Sequence, residues 1–243
     1  MADVPIAALS RSPRRAAWLD VLILVAAAGA LLMSPPPNAG GAVVAQLLVP
    51  LRMLGLCLLA TFLLRRRGLT WAAVGLRRPA SWWRVAGLIV GGYLALAVLA
   101  GLMMAFVLPA LGLPADSSAA AFASIEGQVW KYVSWLLVAW SSAAIGEELV
   151  FRGFLQSRLE SGFGRSRWAL VAALLVQAVL FGLGHGYQGL GGVLLTTVAG
   201  LVLGAVRLAG RGNLVACMLL HALIDTVSLT AVFLGVLRMS PAT

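Results

Sequence analysis

The feature that most constrains this chain is a series of apolar segments long enough to cross a lipid bilayer. A membrane-spanning helix needs about 20 apolar residues, whereas the strands of a membrane barrel are about 10 residues long and alternate in polarity. Seven segments of the helical kind can be read, at residues 18–33, 42–64, 83–108, 131–158, 168–187, 190–206 and 213–237. The last segment is long enough to be broken in two, which would make eight spans. The sequence therefore predicts an all-α, polytopic membrane protein with seven or eight transmembrane helices.

The composition excludes the other broad classes of protein. Hydrophobic residues make up 61% of the chain and charged residues 11%, whereas a soluble domain is about 45–50% apolar and about 25% charged. So apolar a chain cannot be intrinsically disordered. The formal net charge of +10 is carried by arginines in short loops between apolar segments, a pattern that orients membrane proteins, and we predict no nucleic acid partner.

The arginines predict which way the chain crosses the membrane. If the N-terminus is cytoplasmic, most of the basic residues fall on the cytoplasmic side: Arg11, Arg14, Arg15, Arg65, Arg66, Arg67, Arg77, Arg78, Arg84, Arg165, Arg167, Arg207 and Arg211. The opposite side receives only Lys131 and Arg238, together with Asp116 and Glu126. This asymmetry follows the positive-inside rule. The Arg-rich sequence is typical of a bacterium, so we predict a multi-pass protein of the inner (cytoplasmic) membrane with a cytoplasmic N-terminus.

Three acidic residues and both histidines of the chain lie within the apolar segments or at their ends in a pattern that suggests a site. Glu147 and Glu148 are in the fourth segment, Asp225 and His221 in the seventh, and His185 near the end of the fifth. Each such group costs at least about 2.5–3.5 kcal/mol on insertion scales and indicates a functional site by default. The helical rise puts the first four at similar depths, roughly 12–18 Å from the cytoplasmic ends of their segments, but His185 roughly 26 Å deep. One shared pocket within the helix bundle is the simplest interpretation.

The spacing of these residues suggests how they divide the work. Glu148 and Arg152 are four residues apart and can pair along one helix face. Glu147 is rotated by about 100° from Glu148 on an α-helix, so it lacks that partner and suits a general base or a metal ligand.

Each assignment has a structural alternative. The Glu148–Arg152 pair could be only a structural clasp. A histidine in a membrane helix could be an interhelical hydrogen-bonding group, and Asp225, four residues after His221, could only fix the His221 ring. Phe181 and His185 share the same spacing, so Phe181 is expected to pack against that ring.

Three motifs carry a resemblance to a known family. Residues 147–152, EELVFR, match E-E-x-x-x-R; residues 181–185, FGLGH, match F-x-x-x-H; and residues 221–225, HALID, match H-x-x-x-N/D. In this order the chain resembles the CPBP family, the CAAX-type prenyl proteases and bacteriocin-processing proteins, also called Abi. We therefore expect transmembrane helices 1–3 and their loops over residues 1–129, and a catalytic core over residues 130–238.

The resemblance implies an intramembrane endopeptidase of the type II CAAX prenyl protease kind. By the family's pattern Glu147 and His185 would activate a water molecule, His221 and residue 225 would stabilise the oxyanion, and Glu148, Arg152 and Phe181 would support the site. A metal-dependent form would use Glu147, His185 and His221 to bind a divalent metal such as zinc. Residue 225 is Asp where the prenyl-protease motif has Asn, and an ionised Asp repels an oxyanion. Asp225 would have to be protonated to donate, or would instead orient His221 or bind a metal.

The predicted function is hydrolysis of a peptide bond in a membrane-associated peptide or protein, and nothing in the sequence shows that the substrate is prenylated. The predicted partners are the lipid bilayer and that substrate. The alternative is a non-catalytic membrane protein of the same fold, with a bacteriocin-immunity or scaffold role. A proton-coupled transporter is a third class, but the sequence does not show the paired broken helices in two related halves that such a protein would have.

Overall fold

A computed structural model describes residues 14–33, 42–113, 122–164 and 166–236, and within these ranges the regular structure is entirely helical. Seven long helices follow the seven apolar segments. In chain order they are α1 (Arg14–Met33), α2 (Ala42–Arg66), α3 (Trp82–Ala110), α4 (Val129–Phe163), α5 (Arg167–Leu183), α6 (Gly189–Ala209) and α7 (Val215–Phe233). The predicted all-α class is therefore confirmed.

Five of these helices are long and apolar enough to cross a membrane, counting only the described residues: α2, α3, α4, α6 and α7. Helix α5 is apolar but has only 17 residues, and α1 carries Arg14, Arg15 and Asp20. The last helix runs unbroken from Val215 to Phe233. Seven or eight spans thus remains a prediction, as does the division of the chain at residue 129.

Local sequence signals set the helix ends. Ser81 and Ser166 are the N-caps of α3 and α5, each accepting a bond from the backbone N–H three residues on, as serine does at helix starts. Gly75 brings the turn before α3 against the turn before α7. Its φ of +115° suits glycine, its carbonyl accepts from Leu214 N at 3.0 Å, and a Cβ there would collide with the Gly212 carbonyl.

Helix α4 lies between two packed groups of helices. On one side the end of α4 contributes Phe154 and Leu159 to a core with Leu24 of α1 and Leu64 of α2. On the other side α3, α6 and α7 enclose a second core around Leu203, Cys217 and Leu220. Helices α5 and α6 approach through small residues, because a Cβ at Gly200 would lie 3.0 Å from the Cα of Ala178, a close contact common between membrane helices. The middle of α4 therefore lies mainly between α2 and α7 and also touches α5 and α6.

The arginine-rich ends of the helices lie together at one end of the bundle. Arg77 donates to the Arg211 carbonyl at 3.1 Å, Arg84 donates to the Ala209 carbonyl at 2.7 Å, and Arg207 pairs with Glu160 at 2.6 Å. The start of α4 lies at the opposite end, where Gly127 N donates to the carbonyl of Phe233. The bundle thus has the charge asymmetry that the sequence predicts, and the side of the membrane remains a prediction. Four residues used in that prediction lie outside the described residues: Arg11, Asp116, Arg165 and Arg238.

A buried ion cluster at this end was not predicted from the sequence. Asp20 of α1 is fully buried and pairs with Arg67 at 2.9 Å and with Arg158 at 2.9 Å. The hydrogen bond to Asp20 raises the pKa of Arg67 above its usual value, so this cation stays charged throughout the physiological range. One carboxylate therefore joins the ends of α1, α2 and α4.

Candidate active site

Glu148 connects α4 to α7 at the centre of the site. Its Oε1 atom accepts a bond from Arg152 Nη1 at 2.8 Å and lies 2.8 Å from His221 Nδ1. Glu148 and Arg152 are fully buried, and His221 is nearly so. The pair predicted from the spacing is present, but with a second partner that the spacing could not show. Glu148 thus fixes both the guanidinium and the imidazole.

Asp225 does not hold the His221 ring in this structure. Its Oδ2 atom is 3.7 Å from His221 Nε2, which is longer than a hydrogen bond. The same oxygen is buried and has no hydrogen-bond partner among the described residues. Of the two acids, Glu148 is therefore the one that orients the ring, and Asp225 faces its far nitrogen.

Glu147 stands beside this cluster without joining it. Its Oε2 atom is buried and makes no hydrogen bond within the described part of the chain. The backbone here, Ala139–Leu155, is π-helical, with Gln156 N bonded to the carbonyl of Phe151, five residues back. The predicted rotation of about 100° between the two glutamates holds for an α-helix, so it does not apply to this wider turn. The inference that Glu147 lacks Glu148's partner still agrees with the geometry, and π-helical segments occur frequently at functional sites.

Phe181 packs in the middle of the polar groups. The Cζ atom of Arg152 lies 4.1 Å from the centroid of its ring, a cation–π distance. The rings of His185 and His221 lie 4.9 Å and 6.2 Å from it, centroid to centroid. Phe181 is therefore the apolar contact shared by the two predicted histidines and the arginine.

His185 lies beyond the helix in which the sequence placed it. The fifth segment was predicted to reach residue 187, but α5 ends at Leu183 and His185 begins a short turn, Gly186–Gln188. The helix therefore ends two residues before His185, and the depth of His185 in the membrane remains a prediction. His185 Nδ1 is 2.9 Å from the Phe181 carbonyl. A carbonyl can only accept, so Nδ1 carries the proton and Nε2 of the neutral ring keeps its lone pair.

Gln177 is a site residue that the sequence reasoning missed. It is fully buried on α5, and its Nε2 atom donates to the Gly200 carbonyl at 2.9 Å. Arg152 Nη2 approaches the same carbonyl at 3.5 Å. The sequence feature that could have identified Gln177 is a glutamine inside an apolar segment, one helical turn before Phe181.

Tyr187 and Gln188, in the turn after His185, were also missed. The Tyr187 ring lies 5.9 Å from the His185 ring, and Gln188 Nε2 donates to its phenol oxygen at 3.1 Å. In the sequence Tyr187 stands at the end of the fifth apolar segment and Gln188 between segments, and neither residue belongs to one of the three motifs.

The predicted metal ligands do not form a compact group among the residues that the structure describes. Among the described residues no three His, Cys, Asp or Glu side chains lie close enough together to hold a metal ion. His221 Nδ1 and one oxygen of Glu148 are already bonded to each other. A metal bound by Glu147, His185 and His221 therefore remains a prediction.

The fold and the site together define a class, namely helical membrane proteins that bury carboxylates and imidazoles within the bundle. Residues 129–227 match the family model described as type II CAAX prenyl endopeptidase Rce1-like. The match includes every site residue named above and spans about two fifths of the chain. The family predicted from the three motifs, a family of proteases, is thereby confirmed over this region. No curated protein and no solved structure matches the chain.

Proposed function

We propose that the protein is an intramembrane endopeptidase that hydrolyses a peptide bond in a membrane-associated peptide or protein. The observation that carries the proposal is the contrast between two adjacent glutamates. Glu148 is bonded to a guanidinium and an imidazole, whereas Glu147 keeps a buried oxygen without a partner among the described residues. A carboxylate with a spare acceptor in a protected site is suited to taking a proton from water.

The reaction uses His185 with Glu147 and His221 opposite them. Water gives its proton to Glu147, or to the lone pair of His185 Nε2, as its oxygen attacks the scissile carbonyl. The oxygen of that carbonyl becomes negatively charged and is stabilised by nearby donors. His221 in its protonated form donates from both nitrogens: Nδ1 to Glu148, and Nε2 towards the reacting oxygen. When the tetrahedral species collapses, the C–N bond breaks and the group that took the proton from water gives it to the leaving nitrogen. Arg152 and Phe181 hold this arrangement in place.

The test uses purified protein in liposomes and two internally quenched peptides, identical except that one carries a farnesylated cysteine. Cleavage of either peptide establishes the peptidase, and their ratio gives the preference for a lipid. Glu147→Gln nearly keeps the shape of the side chain but removes the base, so the rate should fall by about a hundred- to ten-thousand-fold. Glu126→Gln, at an exposed glutamate outside the site, is the matched control and should keep full activity.

Two results would contradict the proposal. Near-normal turnover by Glu147→Gln would show that Glu147 is not the base. If the wild type cleaves neither peptide, the membrane and secreted proteomes of a deletion strain decide the question. A chain terminus that wild type restores and Glu147→Gln does not would still support a protease. Its absence would favour the non-catalytic scaffold or immunity role.

A metal requirement is tested in the same assay. The metal hypothesis expects that a chelator abolishes cleavage, that zinc restores it, and that about one metal ion per chain is bound. Full activity in a metal-free preparation supports water activation by glutamate and histidine alone.

We also propose that the protein lies in the cytoplasmic membrane with its arginine-rich end in the cytoplasm. Reporter fusions after Arg67 and Arg211 should report the cytoplasm. A fusion near Ser118, which lies outside the described residues, should report the exterior. The reverse pattern would overturn this orientation.

A further inference from the structure

We propose that the Tyr187 phenol is a catalytic hydrogen-bond donor that stabilises the tetrahedral oxygen formed during peptide hydrolysis. The inference rests on the proposed function and adds a residue that none of the three sequence motifs contains.

Tyr187 lies at the open side of the site. Its side chain is 67% exposed, yet its ring is 5.9 Å from that of His185 and inclined to it by only 33°. A side chain that is exposed and also lies beside His185 is placed to touch an incoming substrate.

A short chain of polar groups holds the phenol in position. Gln188 Nε2 donates to the Tyr187 oxygen at 3.1 Å, and Thr196 Oγ1 donates to Gln188 Oε1 at 3.4 Å. Gly192 lets Gln188 lie flat against α6, because a Cβ at Gly192 would collide with the Gln188 side chain. Tyr187 is therefore tied to the rigid helix α6 rather than left on a loose turn.

These bonds also direct the phenol proton. A tyrosine hydroxyl has one proton and two acceptor lone pairs. Gln188 occupies one lone pair, which leaves the O–H free to donate elsewhere. Hydrogen bonds in a chain polarise one another, so the bond from Gln188 makes Tyr187 a stronger donor. An arrangement meant only for packing would not need the amide at all.

The residue at position 225 explains why a further donor is useful here. An asparagine could donate from its amide, whereas an ionised Asp225 presents only acceptors to a negatively charged oxygen. His221 alone would then face the developing charge. A phenol that carries no charge of its own supplies the second donor without adding to the negative charge already present.

The experiment compares Tyr187→Phe with wild type on the same pair of quenched peptides, with kcat and KM measured separately. Removing one oxyanion donor lowers kcat by about a hundred-fold or more. KM should stay nearly constant, because this bond forms only in the transition state. The thermal midpoint should not change, since the side chain is exposed. The matched control is Tyr132→Phe, whose hydroxyl bonds to Thr230 at the other end of α4, and it should keep wild-type kinetics.

Gln188→Met provides an independent test of the positioning chain. It keeps the length of the side chain but removes the amide, so kcat should fall, though less than in Tyr187→Phe. In the Tyr187→Phe background the same change should have no further effect, because the two residues act as a unit. Additive losses would mean that Gln188 acts elsewhere.

Each outcome separates this inference from the proposed function. If Glu147→Gln is inactive but Tyr187→Phe has normal kcat, the peptidase stands and the donor role of Tyr187 is wrong. If Tyr187→Phe raises only KM, the phenol binds substrate uniformly and the inference is again overturned. If the wild type has no peptidase activity on peptides or in the proteome, the inference falls together with the proposed function.

Discussion

Two buried clusters of charged residues have the same composition but differ in how completely their carboxylates are hydrogen-bonded. In the first, Asp20 is bonded through Oδ1 to Arg67 and through Oδ2 to both Arg67 and Arg158. In the second, Glu148 is bonded through Oε1 alone to both Arg152 and His221. Each is one carboxylate with two basic partners, yet only the second has spare acceptors around it.

The unbonded acceptors distinguish the Glu148 cluster, a candidate active site, from the Asp20 cluster, which has a structural role. The second oxygen of Glu148, one oxygen of Glu147 and one of Asp225 are buried, with no hydrogen-bond partner among the residues described. Buried polar groups are nearly always bonded, and exceptions in native structures call for an explanation. At Asp20 both oxygens are used, which suits a structural role. Around Glu148 the unused oxygens face the groups that the proposed reaction needs.

The largest effect is expected from Glu148→Gln, which attacks the shared carboxylate of the site. The substitution leaves a buried guanidinium without its counter-charge, and removing one member of a buried pair costs about 3–5 kcal/mol. It also releases the His221 ring. Both the thermal midpoint in detergent and peptide cleavage should fall, whereas Glu147→Gln should lose only cleavage. If both variants merely unfold, the two glutamates form one structural cluster and the division of roles is wrong.

Asp20→Asn is expected to destabilise the protein without impairing the chemistry. Two arginines would lose their counter-charge, again at a cost of about 3–5 kcal/mol. Turnover per folded molecule should stay at the wild-type value, because this cluster lies at the arginine-rich end of the bundle. The measurement pairs a thermal melt with a rate corrected for folded fraction. A loss of kcat in the folded fraction would mean that the two clusters are coupled.

Arg67→Gln should have the smallest effect of the three. The side chain of Arg67 is 27% exposed and Arg158 remains on the buried Asp20, so the loss should be about 1–3 kcal/mol, between the values for an exposed pair and for a buried one. Arg66→Gln, at an exposed neighbour on the same turn, is the matched control and should be nearly neutral. High salt should narrow the gap between Arg67→Gln and wild type, since it screens exposed charges. A loss of stability as large as that of Asp20→Asn would show that Arg67, rather than Arg158, is the main partner of Asp20.

The sequence was sufficient for the features that depend on local pattern. Apolar length gave seven helices, and a spacing of four gave the contacts of Glu148 with Arg152 and of Phe181 with His185. Contacts between distant segments could not be obtained in this way. The bond from His221 to Glu148 spans 73 residues, and the pairing of Asp20 with Arg67 and Arg158 likewise joins segments that are distant in the sequence.

Backbone departures from ideal helices explain the other errors. The rise and rotation used for the predictions are those of a continuous α-helix. In the structure α4 widens into a π-helix over Ala139–Leu155, and α5 ends at Leu183. Both departures lie at the site. Tyr187 could not be found by any helical spacing, because it lies in the turn that follows the end of α5.

The ion pairs of Asp20 also bear on the order in which the helices can assemble during synthesis. Arg67 follows Asp20 by only 47 residues, so the first two helices can pair as soon as both have been made. We expect this early pairing to neutralise Asp20 before the segment containing the site has been synthesised. Arg158 arrives with the end of α4 and docks onto that finished pair. The N-terminal helices can thus act as a template that receives the catalytic half of the chain.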